Sequence, residues 1–117
     1  MAITLDDVEA AITGESEEVP GSYGDRDSIL YAFAIGMGKD PLDVQELEYV
    51  CETVGSRVVP TAASVLTRAN RSGVNPVRDL MSKMNFVMLL HGEQRLTVHQ
   101  PLPAAANTLI SNKVTGV

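Results

Sequence analysis

Residues 90–103 read LHGEQRLTVHQPLP. An apolar run, NFVMLL at 85–90, leads into His91, Gly92, Glu93 and Gln94. From Gln94 to Gln100 the chain alternates, with Leu96 and Val98 facing one way and Arg95, Thr97 and His99 the other. That is the period of a half-buried strand. Pro101 and Pro103 close it, because proline cannot donate to a ladder. The pattern predicts a buried run, a polar step containing glycine, and a strand. Such a step is either a bend or a place where a ligand meets the backbone, since glycine permits close approach.

Working outward, RVVPT (57–61) turns into a helix of small residues, TAASVLTRAN. The pattern predicts that helix over 61–69, capped by Thr61, with Ala62, Ala63, Val65, Leu66 and Ala69 on its buried face. Before it, ELEYVCETV (46–54) alternates and reads as a short strand. DRDSILYAFAIGMGKDPLD predicts a helix over 25–36. Asp25 caps it, Ile29, Leu30, Phe33 and Ala34 form its apolar face, and Gly36 and Gly38 end it. Asp40-Pro41 then turns the chain.

At the N-terminus, Leu5, Val8, Ala11 and Ile12 stand at helical spacing behind Thr4, a capping residue, so a short helix is expected within 1–12. TGESEEVPGSYG (13–24) reads as an acidic linker or surface loop. Residues 70–84 read as irregular, with a helical turn at DLMSKM. Residues 102–107 read as a turn, and 108–117 as the start of a strand still running at Val117. The expected organisation is an acidic segment, 1–24, followed by one α+β domain, 25–117. There is no internal repeat.

The totals narrow the function classes. The chain has 117 residues, 44% of them hydrophobic and 21% charged, the balance of an ordinary globular domain with one modest core. Its net charge of −6 argues against nucleic acid or an anionic membrane surface as partner. No apolar stretch is long enough to span a bilayer, and the acidic N-terminus does not read as a secretory leader. A cytoplasmic protein is expected.

Cys51 is the only cysteine, so an intramolecular disulfide is impossible, and a buried structural thiol is its expected role. His91 and His99 lie eight residues apart without the spacing of a helical zinc site, so no metal site is expected. A Cys51–His91 thiol–imidazole pair has no supporting local motif. No nucleophile elbow is present, and GMG at 36–38 follows a helix rather than opening one, which is wrong for a dinucleotide loop.

Four blocks, DRDSILYAFAIGMGKDPLD, ELEYVCE, VVPTAASVL and LHGEQRLTVHQPLP, come in the order seen in the N-terminal half of MaoC-like, (R)-specific 2-enoyl-CoA hydratases, the peroxisomal hydratase 2 type and its bacterial relatives. Residues 25–117 resemble that half. The resemblance implies a hot dog fold, an antiparallel sheet wrapped around a central helix. It also implies a partner, since a second, catalytic hot dog completes the enzyme. The reaction implied is the interconversion of trans-2-enoyl-CoA and (3R)-hydroxyacyl-CoA, in an acyl-CoA pathway of the fatty-acid or sterol kind. CoA is part of the substrate, no further cofactor is implied, and in a eukaryote the resemblance implies a peroxisomal setting. The His-Gly of the family's HGEQ motif lies against the bound thioester, which places His91 and Gly92 as substrate-binding residues. The same two residues also fit a bulge at a strand start.

The chain departs from the family in two ways. The family's catalytic segment, Gly-Asp-x-Asn-Pro-aliphatic-His, has only an echo here, Gly73-Val74-Asn75-Pro76-Val77-Arg78, without its Asp or its His. No catalytic residue is therefore assigned to this chain. The hot dog is also expected to be incomplete at its C-terminal edge, inviting a homo- or hetero-oligomeric partner. Two alternatives share the fold. One is a non-catalytic subunit that completes a catalytic partner. The other is an acyl-CoA thioesterase, disfavoured because PTAASVL carries no carboxylate.

Overall fold

The computed structural model describes residues 3–15, 17–52, 57–66 and 76–117. In chain order its elements are α1 (Leu5–Thr13), β1 (Val19–Tyr23), α2 (Asp25–Ala34), α3 (Val44–Val50), a 3-10 turn (Pro60–Ala62) running into α4 (Ala63–Leu66), α5 (Pro76–Ser82), a second 3-10 turn (Phe86–Met88) and β2 (Ala106–Ile110). The protein is α+β. β1 and β2 form a two-stranded sheet. The residues group into two compact units, one drawn from 1–19, 71–95 and 109–117 and the other from 20–70 and 96–108.

In the first unit α1 begins as expected. The Thr4 hydroxyl accepts from the Asp7 N–H at 3.3 Å, and the Asp7 carboxylate accepts from the Thr4 N–H at 3.0 Å. This reciprocal capping box satisfies two donors that a helix start leaves open. α1 packs on α5, and Ala11, Leu80 and Val114 form the buried core, flanked by Ile3, Ile12, Val77 and Met84. α5 is longer than the expected turn at 79–84. It starts at Pro76, whose fixed φ suits a first helical position. Residues 70–75 of the expected irregular segment lie outside the described residues.

In the second unit Tyr23, Ala62 and Leu66 form the core, with Tyr31, Val58 and Ala106 against them. α2 follows the expected span closely, but its cap and its buried face differ. The Asp27 carboxylate, not Asp25, reaches back to the helix start, accepting from the Gly24 N–H at 2.8 Å. Ser28 and Ala32 are the buried residues, one turn apart, while Leu30 and Phe33 stay exposed. Small side chains let the backbone of α2 approach its neighbours, and the Ser28 hydroxyl donates to the Ala104 carbonyl at 2.9 Å.

Residues 46–54 correct the strand expectation, since 44–50 are helical. The Asp43 carboxylate accepts from the Gln45 and Glu46 N–H groups at 3.0 and 3.2 Å, which starts a helix of good helix formers, Gln, Glu and Leu. Thr53 and Val54 lie outside the described residues. Cys51, expected to be buried, is half-buried at the C-cap. Thr61 does not cap. Val59 holds that place with Pro60 behind it, and the Thr61 hydroxyl accepts from Tyr31 at 2.9 Å. Of the expected helix face, Ala62 and Leu66 are buried and Val65 is exposed; residues 67–69 lie outside the described residues.

Three further expectations change. Residues 19–23, read as linker, form β1. Its Pro20 is tolerated because a two-stranded sheet is all edge. Residues 94–100 have no strand, for alternation selects a face but cannot supply a partner. β2 occupies 106–110, across the boundary drawn between turn and strand, and residues 111–117 are not strand. Among the described residues two strands pair, within the α+β class that was expected.

Two outcomes test this packing. Gly38 has φ +76°, and an added Cβ would sit 2.9 Å from Val50 Cγ2 and 3.3 Å from Phe33 Cε1. Gly38→Ala is expected to lower the unfolding free energy by about 1–3 kcal/mol in denaturant titrations. Asp7 supplies the second. The hydrogen bond from Lys83, then those from the backbone and hydroxyl of Thr4, hold its carboxyl at about 2, below the usual 3.8. A depressed carboxyl stabilises the fold above the ordinary value, and that contribution fades as pH falls from about 3.8 through about 2. Asp7→Asn is expected to flatten the acid limb of a Tm-against-pH curve; an unchanged limb would show that the Lys83 contact carries nothing.

Candidate functional site

The stretch around His91 belongs to the first unit. Asn85 starts the approach to it, its side-chain oxygen accepting from the Val87 N–H at 3.1 Å and capping the 3-10 turn at Phe86–Met88. Residues 85–90, expected to be a buried run, are exposed throughout. One short turn offers no long face to bury, and its side chains point in several directions.

His91 and Gly92 follow directly, and both are exposed. His91 Nε2 lies 3.0 Å from the Glu93 carbonyl oxygen, so its protonated tautomer donates there. The Glu93 carboxylate accepts from Arg95 Nε at 2.6 Å, closing a local polar loop on open surface. Gly92 needs no special backbone. It is not among the positive-φ glycines, and a Cβ added there would meet nothing within 4 Å. A glycine with open space around it leaves room for an approaching group.

A hollow of about 290 Å³ in the same unit is lined by Ile3, Lys83, Met84, Asn85, Met88 and Leu89. His91 and Gly92 do not line it. Its charged and amide groups are engaged, since Lys83 donates to Asp7 and Asn85 caps the turn.

The second unit holds a larger hollow, about 530 Å³, lined by Met37, Asp43, Gln45, Glu46, Glu48, Tyr49 and Arg57. Its carboxylates are committed to structure. Asp43 caps α3, Glu46 accepts from the Gly38 N–H at 2.7 Å, and Glu48 pairs with Arg57 at 2.9 Å. The Arg57 guanidinium also lies 5.3 Å from the centre of the Tyr49 ring, a cation–π distance. The Glu48 hydrogen bond, then the charges of Tyr49 and Glu48, push the Arg57 pKa up. The arrangement locks α3 to residue 57 and offers no base beside a nucleophile. Reading 46–54 as a strand hid this hollow. The signal that would have revealed it is Asp43-Val44-Gln45-Glu46, a capping residue followed three positions on by Glu, after Pro41.

Among the described residues no group of three or more His, Cys, Asp or Glu is placed to hold a metal ion. No helix there is long and apolar enough to cross a membrane. His99 is exposed, and Asp79 is exposed on α5.

Residues 22–117 match the family model described as the MFE-2 hydratase 2 N-terminal domain. The peroxisomal enoyl-CoA hydratase 2 of Arabidopsis thaliana is 35% identical over 99 residues, covering 80% of this chain and 30% of that protein. Two Mycobacterium tuberculosis proteins are also similar. Enoyl-CoA hydratase ChsH3 is 24% identical over 111 residues (95% of this chain, 38% of that protein), and 3-hydroxyacyl-thioester dehydratase Y is 27% identical over 110 (92% and 34%). The chain thus spans between 30% and 38% of the length of these relatives. No solved structure matches it. With a family model aligned from just before α2 to Val117, the chain belongs to the MFE-2 hydratase 2 N-terminal domain family.

Proposed function

We propose that this chain is the acyl-CoA-binding half of a hydratase 2 type lyase, with the hot dog fold completed by a catalytic half. The observation that carries the reading is the match of residues 22–117 to a family defined as an N-terminal domain, in a chain spanning about a third of its relatives. The assembly adds water across the double bond of a trans-2-enoyl-CoA. Hydroxyl goes to C3 and a proton to C2, giving the (3R)-hydroxyacyl-CoA, and the reverse step is dehydration. No electrons leave or enter, so the balance needs no redox group, and CoA arrives as part of the substrate.

Water addition requires a base within hydrogen-bonding reach of the attacking water. In this reading the catalytic half supplies it, and His91 and Gly92 supply contact. His91 orients a polar group of the ester, and Gly92 leaves room for close approach. The peroxisomal relative makes a peroxisomal setting a fitting one in a eukaryote, and the cytoplasm elsewhere.

The test is loss of enoyl-thioester absorbance. Its samples are this chain alone and a chimera in which it replaces the matching segment of the Arabidopsis protein. The chain alone is expected to be inactive and the chimera active. In the chimera, His91→Ala and Gly92→Ala are each expected to lower kcat/KM about tenfold, roughly 1.4 kcal/mol. Both are expected to leave unfolding within about 0.5 kcal/mol, since both sites are open surface. Turnover by the isolated chain would overturn the assignment of catalysis to the other half. Unchanged kcat/KM in both variants would remove His91 and Gly92 from the site.

A further inference from the structure

The geometry points to residues 86–90 as the docking surface for the catalytic half. This rests on the reading above that a second half completes the chain, and it names where the two meet. Phe86 is 63% exposed, Val87 89%, Met88 78% and Leu90 90%. Soluble monomers rarely leave so continuous an apolar run in water. The hollow beside it offers Ile3, Met84, Met88 and Leu89 as an apolar floor once Lys83 and Asn85 are discounted. Methionine and leucine adapt readily to a partner's shape.

The shape of the run selects the kind of occupant. Successive side chains of a 3-10 turn project about 120° apart, so Phe86, Val87 and Met88 cannot all lie on one flat surface. Covering them takes a socket that closes around the turn. Two copies of this chain meeting turn to turn would leave side chains in water, and a net charge of −6 on each opposes that pairing. The relatives carry 62–70% of their length beyond the matched part, enough polypeptide to form such a socket. The run ends at Leu90, so a docked partner would stand next to His91 and Gly92 in the chain.

Oxidation of Met88 by dilute peroxide, followed by mass spectrometry, reads the contact directly, because methionine oxidation tracks exposure. Met88 is expected to oxidise about tenfold more slowly in the chimera than in the isolated chain. Equal rates would overturn the docking surface. Light scattering of the isolated chain gives a second reading that needs no chimera. A monomer supports the assignment, whereas a dimer that Val87→Asp dissociates would identify a second copy as the occupant and overturn it. The two proposals fail separately. Protection of Met88 without hydration removes the proposed reaction and keeps the surface. Hydration with Met88 unprotected does the reverse.

Discussion

The Tyr23 hydroxyl donates to the Pro103 carbonyl, 2.8 Å away and 80 residues along the chain. The second unit depends on this contact. It fixes where residues 96–108 return, and with the Ser28 bond to Ala104 it pins both sides of the approach to β2. The ring is buried against Ala62 and Leu66, so one side chain joins β1, the Pro60 turn and the returning segment. Burial raises the phenol's pKa, keeping it a neutral donor further into the alkaline range. Closing a loop of that length costs more entropy than one hydrogen bond returns, so the buried ring must carry most of the stabilisation.

Where a residue's role is local, the sequence spoke clearly. Thr4 and Asp7 sit three apart and cap α1; Gly36 and Gly38, at φ +98° and +76°, terminate α2. The family order of blocks was legible too, and the match over 22–117 agrees with it. Roles that depend on a distant partner were not legible. ELEYVCE alternates as a strand would, but Asp43 caps it as a helix. VPGSY looks like linker because Pro20 and Gly21 break patterns, while Tyr23 makes it structural from 80 residues away. RLTVH has the right period, but no ladder pairs it among the described residues. The candidate site divides the same way. The motif marks His91 and Gly92, but only coordinates show them on open surface beside an exposed turn.

The cores are thin. Among the described residues the buried apolar side chains are Ala11, Tyr23, Ala32, Ala62, Leu66, Pro76, Leu80 and Val114, and three of the eight are alanine. Small domains have little stability to spare, because a short chain buries a smaller share of its surface. Meanwhile Leu5, Leu42, Val87, Leu90 and Val117 each remain more than 70% exposed. Apolar material is abundant here but sits outside the cores.

That distribution bears on how a divided enzyme would work. A half that carried a complete core would have less to gain from its partner, and its contact residues could drift apart from the reacting atoms. Here the exposed apolar turn and the polar His91-Gly92 step are consecutive in sequence. Only Leu89 and Leu90 separate them, so a partner holding the turn would also stand close to the step. The free energy of burying Phe86, Val87 and Met88 would then do two things at once: hold the halves together, and immobilise His91 where an acyl-CoA ester could meet it. In the proposed reading, placing His91 directly after such a docking segment would convert apolar association into orientation of a polar contact, which a free surface histidine cannot achieve alone.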